Sequence, residues 1–213
     1  MNALPYAQGT PEWLQARVGR ITASRIKDVC AQGKAGAPST TREAYMGELI
    51  AERLTGLSSG DSYMNADMQR GTDLEPLARA AYETATRQMV DEVGLVIHPR
   101  NEWFGASPDG VAGDHGLLEI KCPRTHVHIS YMLSRKPPAA YLPQMAWQAY
   151  CCERQWVDFV SFDPKMPPEL QLFIVRYEPE LEYIRQLEQA ALKFLDEMRD
   201  KMTALKTLAR LPL

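Results

Sequence analysis

Residues 178–205 constrain the fold most tightly. Glu178-Pro179 opens a stretch in which Leu181, Ile184, Leu187, Ala191, Leu195, Met198, Met202 and Leu205 recur at helical spacing. That spacing gathers the apolar side chains on one face of a long helix, and the face must be covered by a core or by a partner subunit. Just upstream the period changes. Gln155–Phe162 and Leu170–Tyr177 alternate with the period of two that strands require, on either side of the Pro-rich loop DPKMPPE. A chain that changes period in this way must pack helices against sheet.

The rest of the chain extends this pattern. Thr10-Pro11-Glu12 predicts a capped helix through Val18, and Thr22 predicts a cap for a short helix from Ala23 to Val29. Thr40 and Glu43 have capping-box spacing and open a helix that stops near Gly56. Residues 66–88 read as a longer helix, with Gly71 weakening its first turns. Strands follow at Val93–His98, Trp103–Ala106 and Gly116–Lys121, then helices over 125–134 and 138–152. The loosest segments, 33–40 and 56–63, are rich in Gly, Ser and Pro and read as loops. The expectation is an α/β (α+β) domain spanning 1–213, with a central mixed β-sheet flanked by helices. At 213 residues, 45% of them hydrophobic, the chain can bury its own core without disulfides or a structural metal.

Composition excludes several functional classes. Cys30, Cys122, Cys151 and Cys152 show no CxxC spacing, so reduced, mostly buried thiols of a cytoplasmic protein are expected rather than bridges or a zinc site. No run of 18 apolar residues is present and the first residues lack a signal-peptide pattern, so no membrane partner is expected. The net charge is −3. A protein that binds DNA with that balance must concentrate its positive groups in a cleft or ring.

Chemistry concentrates in 107–123, SPDGVAGDHGLLEIKCP. Side chains alternate along a strand, so Glu119 and Lys121 share one face while Ile120 enters the core. If the flanking segments form a hairpin, Asp109 lies opposite Glu119. Two carboxylates beside an ammonium suit a hard divalent cation, and the Ile120 carbonyl could add an oxygen. Lys121 could then orient or deprotonate a water, or meet the charge on a phosphate. A Glu-x-Lys pair alone is most often a solvated ion pair of little worth. By the same standard Glu75 is an exposed helix residue, Ser24 a helix cap and Gln144 an ordinary polar helix position.

The ordered motifs carry the argument further. Asp109…Glu119-Ile120-Lys121 resembles the active-site motif of the PD-(D/E)xK nuclease superfamily, and SPDG…LEIKCP is similar to that of the lambda exonuclease, or YqaJ-type viral recombinase, family. Three further segments agree in order: Trp13 to Ser24 (WLQARVGRITAS), Gly71-Thr72-Asp73-Leu74-Glu75 and Tyr141-Leu142-Pro143-Gln144. The resemblance implies a restriction-endonuclease-like core and a 5′→3′ exonuclease on linear double-stranded DNA, releasing mononucleotides and leaving 3′ overhangs. It implies two Mg²⁺ per site, with Mn²⁺ able to substitute, held by Asp109, Glu119, the Ile120 carbonyl and Glu75. Lys121 then acts on the attacking water and Gln144 faces the site. Arg17, Ser24 and Ser107 match a 5′-phosphate pocket. Met68 matches an apolar wedge that splits base pairs, and Lys34 a DNA contact. A homotrimeric ring, a single-strand annealing recombinase as partner and a phage or prophage in a bacterial host cytoplasm come with the same resemblance.

One departure stands out. The family often has a second glutamine two residues after the first, where this chain has Ala146, with Gln148 one helical turn on. Two rival functions stay open at this stage. One is another PD-(D/E)xK nuclease, such as an endonuclease; an iron–sulfur form does not suit the cysteine spacing. The other is a non-catalytic protein that binds DNA ends.

Overall fold

The computed structural model describes residues 1–33, 39–59 and 66–208, with side chains of the last range taken from residue 69 onward. Lys34 lies outside the described residues, and so does the side chain of Met68. The strands are β1 (Asn2–Ala3), β2 (Ile21–Thr22), β3 (Val90–Asp91), β4 (Val96–His98), β5 (Asn101–Ala106), β6 (Gly110–Ala112), β7 (Gly116–Lys121), β8 (Trp156–Phe162) and β9 (Leu172–Tyr177). The α-helices are α1 (Pro11–Arg17), α2 (Ile26–Val29), α3 (Thr40–Thr55), α4 (Ala66–Thr86), α5 (Thr125–Ser134), α6 (Leu142–Cys152) and α7 (Leu181–Leu208).

The expected central sheet is two mixed sheets flanked by helices. One has the order β1-β4-β5-β2, the other β3-β6-β7-β8-β9. In the first only β2–β5 is parallel, and in the second only β7–β8. The chain passes between sheets within Ser107-Pro108-Asp109. Pro108 has no N–H to continue a ladder, so the strand breaks there and pairing resumes at Gly110 opposite Leu118. Asp109 therefore sits at the seam. A Cβ on Gly110 would stand 2.2 Å from Val90 Cγ1, so only glycine lets β3 lie against β6 at this point.

Strand β7 is covered on both faces. Leu117 joins the main core with α2, α3, α6 and α7, while Leu118 and Ile120 pack with Ala78 and Tyr82 of α4 and Val160 and Phe162 of β8. The alternation that places Ile120 in the second core turns Glu119 toward α6, where it is fully buried.

Several local expectations shift. The Thr10 hydroxyl accepts from the Trp13 amide at 3.3 Å, as a cap should. Thr22 precedes a short 3₁₀ turn (Ala23–Arg25) but makes no capping bond, because its hydroxyl accepts from Arg17 instead. The cap of α3 is Ser39 rather than Thr40; it accepts from the Arg42 amide at 3.3 Å, and Gly56 ends the helix in the left-handed region. α4 runs unbroken through Gly71. On α7 the buried face is Leu187, Ala191, Phe194 and Met198, whereas Leu181 and Leu205 are exposed. All four cysteines are free, with Cys122, Cys151 and Cys152 buried.

Candidate active site

The end of β7 and the seam turn build the site. The Asp109 amide donates to the Leu118 carbonyl at 3.0 Å, and the Ile120 amide donates to Asp109 Oδ2 at 2.6 Å. These bonds hold Asp109 across from Glu119, as the hairpin requires. Glu119 Oε1 accepts from Gln144 Nε2 at 2.7 Å and also meets the Lys121 ammonium. Its Oε2 accepts from Gln148 Nε2 at 2.6 Å. Lys121 lies over the Tyr141 ring, 5.3 Å from its centre.

The electrostatics are unbalanced. Burial, then the charge of Glu119, raise the Asp109 carboxyl to about 8, against the pull of Lys121 and one amide. Burial alone would lower Lys121, but Glu119 and Asp109 outweigh it and hold the amine above its ordinary value. In the metal-free chain Lys121 is thus held as a cation, able to orient a water or face a phosphate.

Glu75 comes from α4 and lines the same cavity of about 760 Å³ as Asp109 and Trp13. Arg79, itself buried, donates to Glu75 Oε1 at 2.7 Å and to the Asp109 carbonyl at 3.2 Å, and pairs with Glu92 at 2.5 Å. Burial raises the Glu75 carboxyl, with Arg79 and Lys121 drawing it down and Glu92 and Glu119 pushing it up. The cavity wall formed by Leu4 to Gln8 depends on Gly94, where a Cβ would come within 2.1 Å of the Tyr6 carbonyl oxygen.

A second cavity, of about 320 Å³, also reaches Trp13 and is lined by Arg17, Thr22, Tyr45 and Glu52 among others. Arg17 stacks on Trp13 at 4.2 Å and donates to Thr22 Oγ1 at 3.3 Å. Glu52 gives its oxygens to the amides of Gly19 (2.6 Å) and Ser59 (2.9 Å), and Glu48 pairs with Arg25 at 3.0 Å. Among the described residues, no carboxylate pairs with Arg17. Burial lowers its pKa, outweighing Tyr45 and Glu52, which pull the other way, with Arg25 adding to the fall. Ser107 is tied to this wall because its Oγ accepts from Trp13 Nε1 at 3.0 Å. Ser24 is exposed on the 3₁₀ turn and does not line either cavity.

A hard divalent cation fits the donor set. The Asp109 carboxyl, raised by burial and by Glu119, is one whose charged form a bound cation would favour. Among the described residues no three carboxylate, histidine or cysteine side chains form a metal cage. Mg²⁺ is commonly held by one or two carboxylates, with waters and substrate phosphates supplying the rest.

Comparison with known proteins bears on this geometry. A family profile described as the YqaJ-like viral recombinase domain matches residues 12–155, a span that includes Trp13, Arg17, Glu75, Asp109, Glu119, Lys121, Gln144 and Gln148. The chain belongs to that family. Two crystal structures of LHK-Exo, an alkaline exonuclease from Laribacter hongkongensis, one of them in complex with dAMP, are similar at 46% identity and a TM-score of 0.85, covering 94% of this chain and 98% of that one. A phage-related exonuclease from Haemophilus somnus 129PT shares the fold at 17% identity and a TM-score of 0.63, over 86% of this chain and 96% of that one. No curated protein matches the chain. The YqaJ-like domain and the exonuclease likeness support a nuclease that acts on DNA, and the family points to use of a divalent metal.

Within the YqaJ-like domain, the structure brings together Asp109, Glu119, Lys121, Gln144 and Glu75, and separately Arg17 with Ser107 through Trp13. Sequence reasoning passed over three side chains that hold this arrangement. Trp13 lines both cavities, Arg79 ties α4 to the seam, and Gln148 takes the second oxygen of Glu119. Trp13 heads the WLQARVGRITAS segment and Gln148 left a trace in the spacing, since residues four apart share a helix face, whereas Arg79 left none.

Proposed function

We propose that the chain is a Mg²⁺-dependent 5′→3′ exonuclease on linear double-stranded DNA, which hydrolyses one strand to mononucleotides and leaves a 3′ overhang. One observation carries the reading. Asp109, raised by burial and by Glu119, lines one cavity; Arg17, which forms an ion pair with no carboxylate among the described residues, lines another; and Trp13 lines both. A DNA end suits both, with its terminal phosphate for Arg17 and a scissile phosphodiester at the carboxylates. LHK-Exo has been solved with dAMP, and a nucleoside monophosphate is what hydrolysis of DNA one residue at a time releases.

Asp109, Glu119 and the Ile120 carbonyl would hold the first cation, and Glu75 would contribute to a second. Bound there, the metal lowers the pKa of water and neutralises charge on the phosphate. Gln144 keeps Glu119 in place, and Lys121 presents a fixed positive charge to the water or the phosphate. Arg17, stiffened against Trp13, can take a doubly charged terminal phosphate through two N–H groups, while Ser107 and the exposed Ser24 supply hydroxyls at the edge. Met68 as wedge and Lys34 as DNA contact complete the reading by resemblance. So do a homotrimeric ring that encloses DNA, delivery of the overhang to a single-strand annealing recombinase, and action in the cytoplasm of a bacterium carrying a phage or prophage. Among the described residues no helix is long and apolar enough to cross a membrane.

The deciding experiment is digestion of blunt linear duplex with 5′-phosphate or 5′-hydroxyl ends, in Mg²⁺ and in EDTA. The expected result is mononucleotides plus single strand, faster from the phosphorylated duplex and stopped by EDTA. Cutting of closed circular DNA would point to an endonuclease. Retention of DNA ends without hydrolysis in either Mg²⁺ or Mn²⁺ would leave an end-binding protein.

A further inference from the structure

Gln148 has no role in the function as described so far, yet it is fully buried within bonding distance of the central carboxylate. We propose that Gln148 is a positioning residue for Glu119, fixing the oxygen that Lys121 does not reach so that Asp109 and Glu119 meet a divalent cation in one geometry. The proposal rests on the reading of this site as a metal-dependent nuclease and extends it to a residue outside the recognised motifs.

The orientation of the amide is the main argument. Gln148 Nε2 donates to Glu119 Oε2 at 2.6 Å, while Gln148 Oε1 is buried with no hydrogen-bond partner among the described residues. A glutamine kept only for packing would turn to satisfy both ends, or be replaced by an apolar residue like its neighbours Met145, Ala149 and Cys152. Turning this amide over would set its oxygen against a carboxylate. The unpartnered oxygen is thus the cost of serving Glu119.

The second argument is position. Gln144 and Gln148 stand four residues apart on α6 and so share a face, reaching Oε1 and Oε2 of the same carboxylate. A residue at 146 would lie on another face, and this chain has a buried Ala146 there. Gln148 is therefore a new contact rather than a displaced copy of a glutamine at 146. With Gln144 and Lys121 on Oε1 and Gln148 on Oε2, one lone pair on Oε2 is left for a cation.

The probe is Mn²⁺ alone, titrated into the full-length chain without DNA and followed by calorimetry and by its electron paramagnetic resonance signal. Gln148→Met keeps the volume and removes the donor. Its Mn²⁺ affinity should fall about 10- to 100-fold, the range found when a partner of a metal ligand is lost. Half-maximal cleavage should need correspondingly more metal, with KM for DNA ends unchanged. Gln148→Glu donates only while protonated, so its deficit should widen as the pH rises, which a purely structural role would not produce. Should Gln148→Met fail to fold, the isosteric Gln148→Glu carries the test. Wild-type affinity in Gln148→Met, or a Gln148→Glu affinity that keeps pace with wild type as the pH rises, overturns the assignment. If the wild-type chain binds no Mn²⁺ and cuts no DNA, the nuclease reading falls and the assignment with it. If wild type binds and the variants match it, only the assignment falls.

Discussion

Asp109 and Asp163 are the same residue type in opposite circumstances. Asp163 follows β8 and is fully buried, yet every oxygen is served. Arg70 donates to Oδ1 at 3.2 Å, the Lys165 amide to Oδ1 at 3.1 Å and Thr125 to Oδ2 at 2.6 Å. Burial pushes its carboxyl up, but the Thr125 hydroxyl, the Lys165 amide and Arg70 outweigh that and hold it below the ordinary value. Asp109 accepts from one amide only; burial and the neighbouring Glu119 outweigh that amide and the charge of Lys121, and its carboxyl goes up to about 8. A satisfied carboxylate fixes the fold by tying α4, α5 and the loop after β8 together. A deprived one is kept that way for something the chain alone does not supply.

Exchanging each aspartate for asparagine tests this difference. Asp109→Asn should lower DNA hydrolysis on the order of 10³-fold, since a metal ligand and its charge are both lost. The same change should leave the melting temperature at neutral pH equal or higher, because folding no longer has to hold a proton on a buried carboxyl. A lower melting temperature in Asp109→Asn would mean that folding does not hold that proton.

Asp163→Asn should do the reverse. It gives up a charged acceptor buried among three donors, and should cost about 2–3 kcal/mol of stability by urea unfolding. The folded fraction should hydrolyse DNA at a rate within a few-fold of wild type. If Asp163→Asn abolishes hydrolysis while the protein stays fully folded, Asp163 belongs to the site and the comparison breaks.

The two aspartates also give pH dependences of opposite sign in metal-free protein. Asp109 has a folded pKa raised above its ordinary 3.8. Its contribution to stability is therefore present below that value and lost as the pH rises through about 8. Asp163, held low, contributes stability above the ordinary range and loses it as the pH falls through its folded value. Because a cation must displace the Asp109 proton, Mn²⁺ affinity should climb roughly tenfold per pH unit and level off near the Asp109 pKa. Calorimetric titrations between pH 6 and pH 9 check this, and a flat profile would mean that Asp109 is already ionised throughout.

Much of this was legible in the sequence, though unevenly. The spacing of Asp109, Glu119 and Lys121 requires only a hairpin and strand alternation, both local rules, so the corner of the site could be read directly. The two sheets could not. Three-residue β6 is too short to show a period, and the break between sheets depends on Pro108 at the end of a strand that otherwise looks continuous. Gln148 was visible as a spacing but not as a contact, because its role depends on which face of α6 meets β7. The cap of α3 was misplaced by one residue because Ser39 and Thr40 are both good caps, and only the backbone bond to Arg42 separates them. Ser24 is a motif residue whose exposure on the 3₁₀ turn no spacing could show.

The smallest expected effect extends the comparison to the cations. Arg176 is closed in the way Asp163 is, donating through Nε at 2.8 Å and Nη2 at 2.9 Å to the two oxygens of buried Asp158. Arg17 has a ring, a hydroxyl and, among the described residues, no carboxylate in an ion pair with it. Lysine preserves the charge in each case but cannot make two parallel bonds. Arg176→Lys should cost about 1 kcal/mol of stability, modest because the guanidinium is partly exposed, and leave the choice of DNA end untouched. Arg17→Lys should cost less than about 0.5 kcal/mol, since no ion pair is lost, yet narrow the rate difference between 5′-phosphate and 5′-hydroxyl duplexes several-fold. Measuring both variants for melting temperature and end preference separates an arginine that serves the fold from one reserved for the DNA. If end preference follows Arg176 rather than Arg17, the cavity beside Trp13 is not where the terminal phosphate binds.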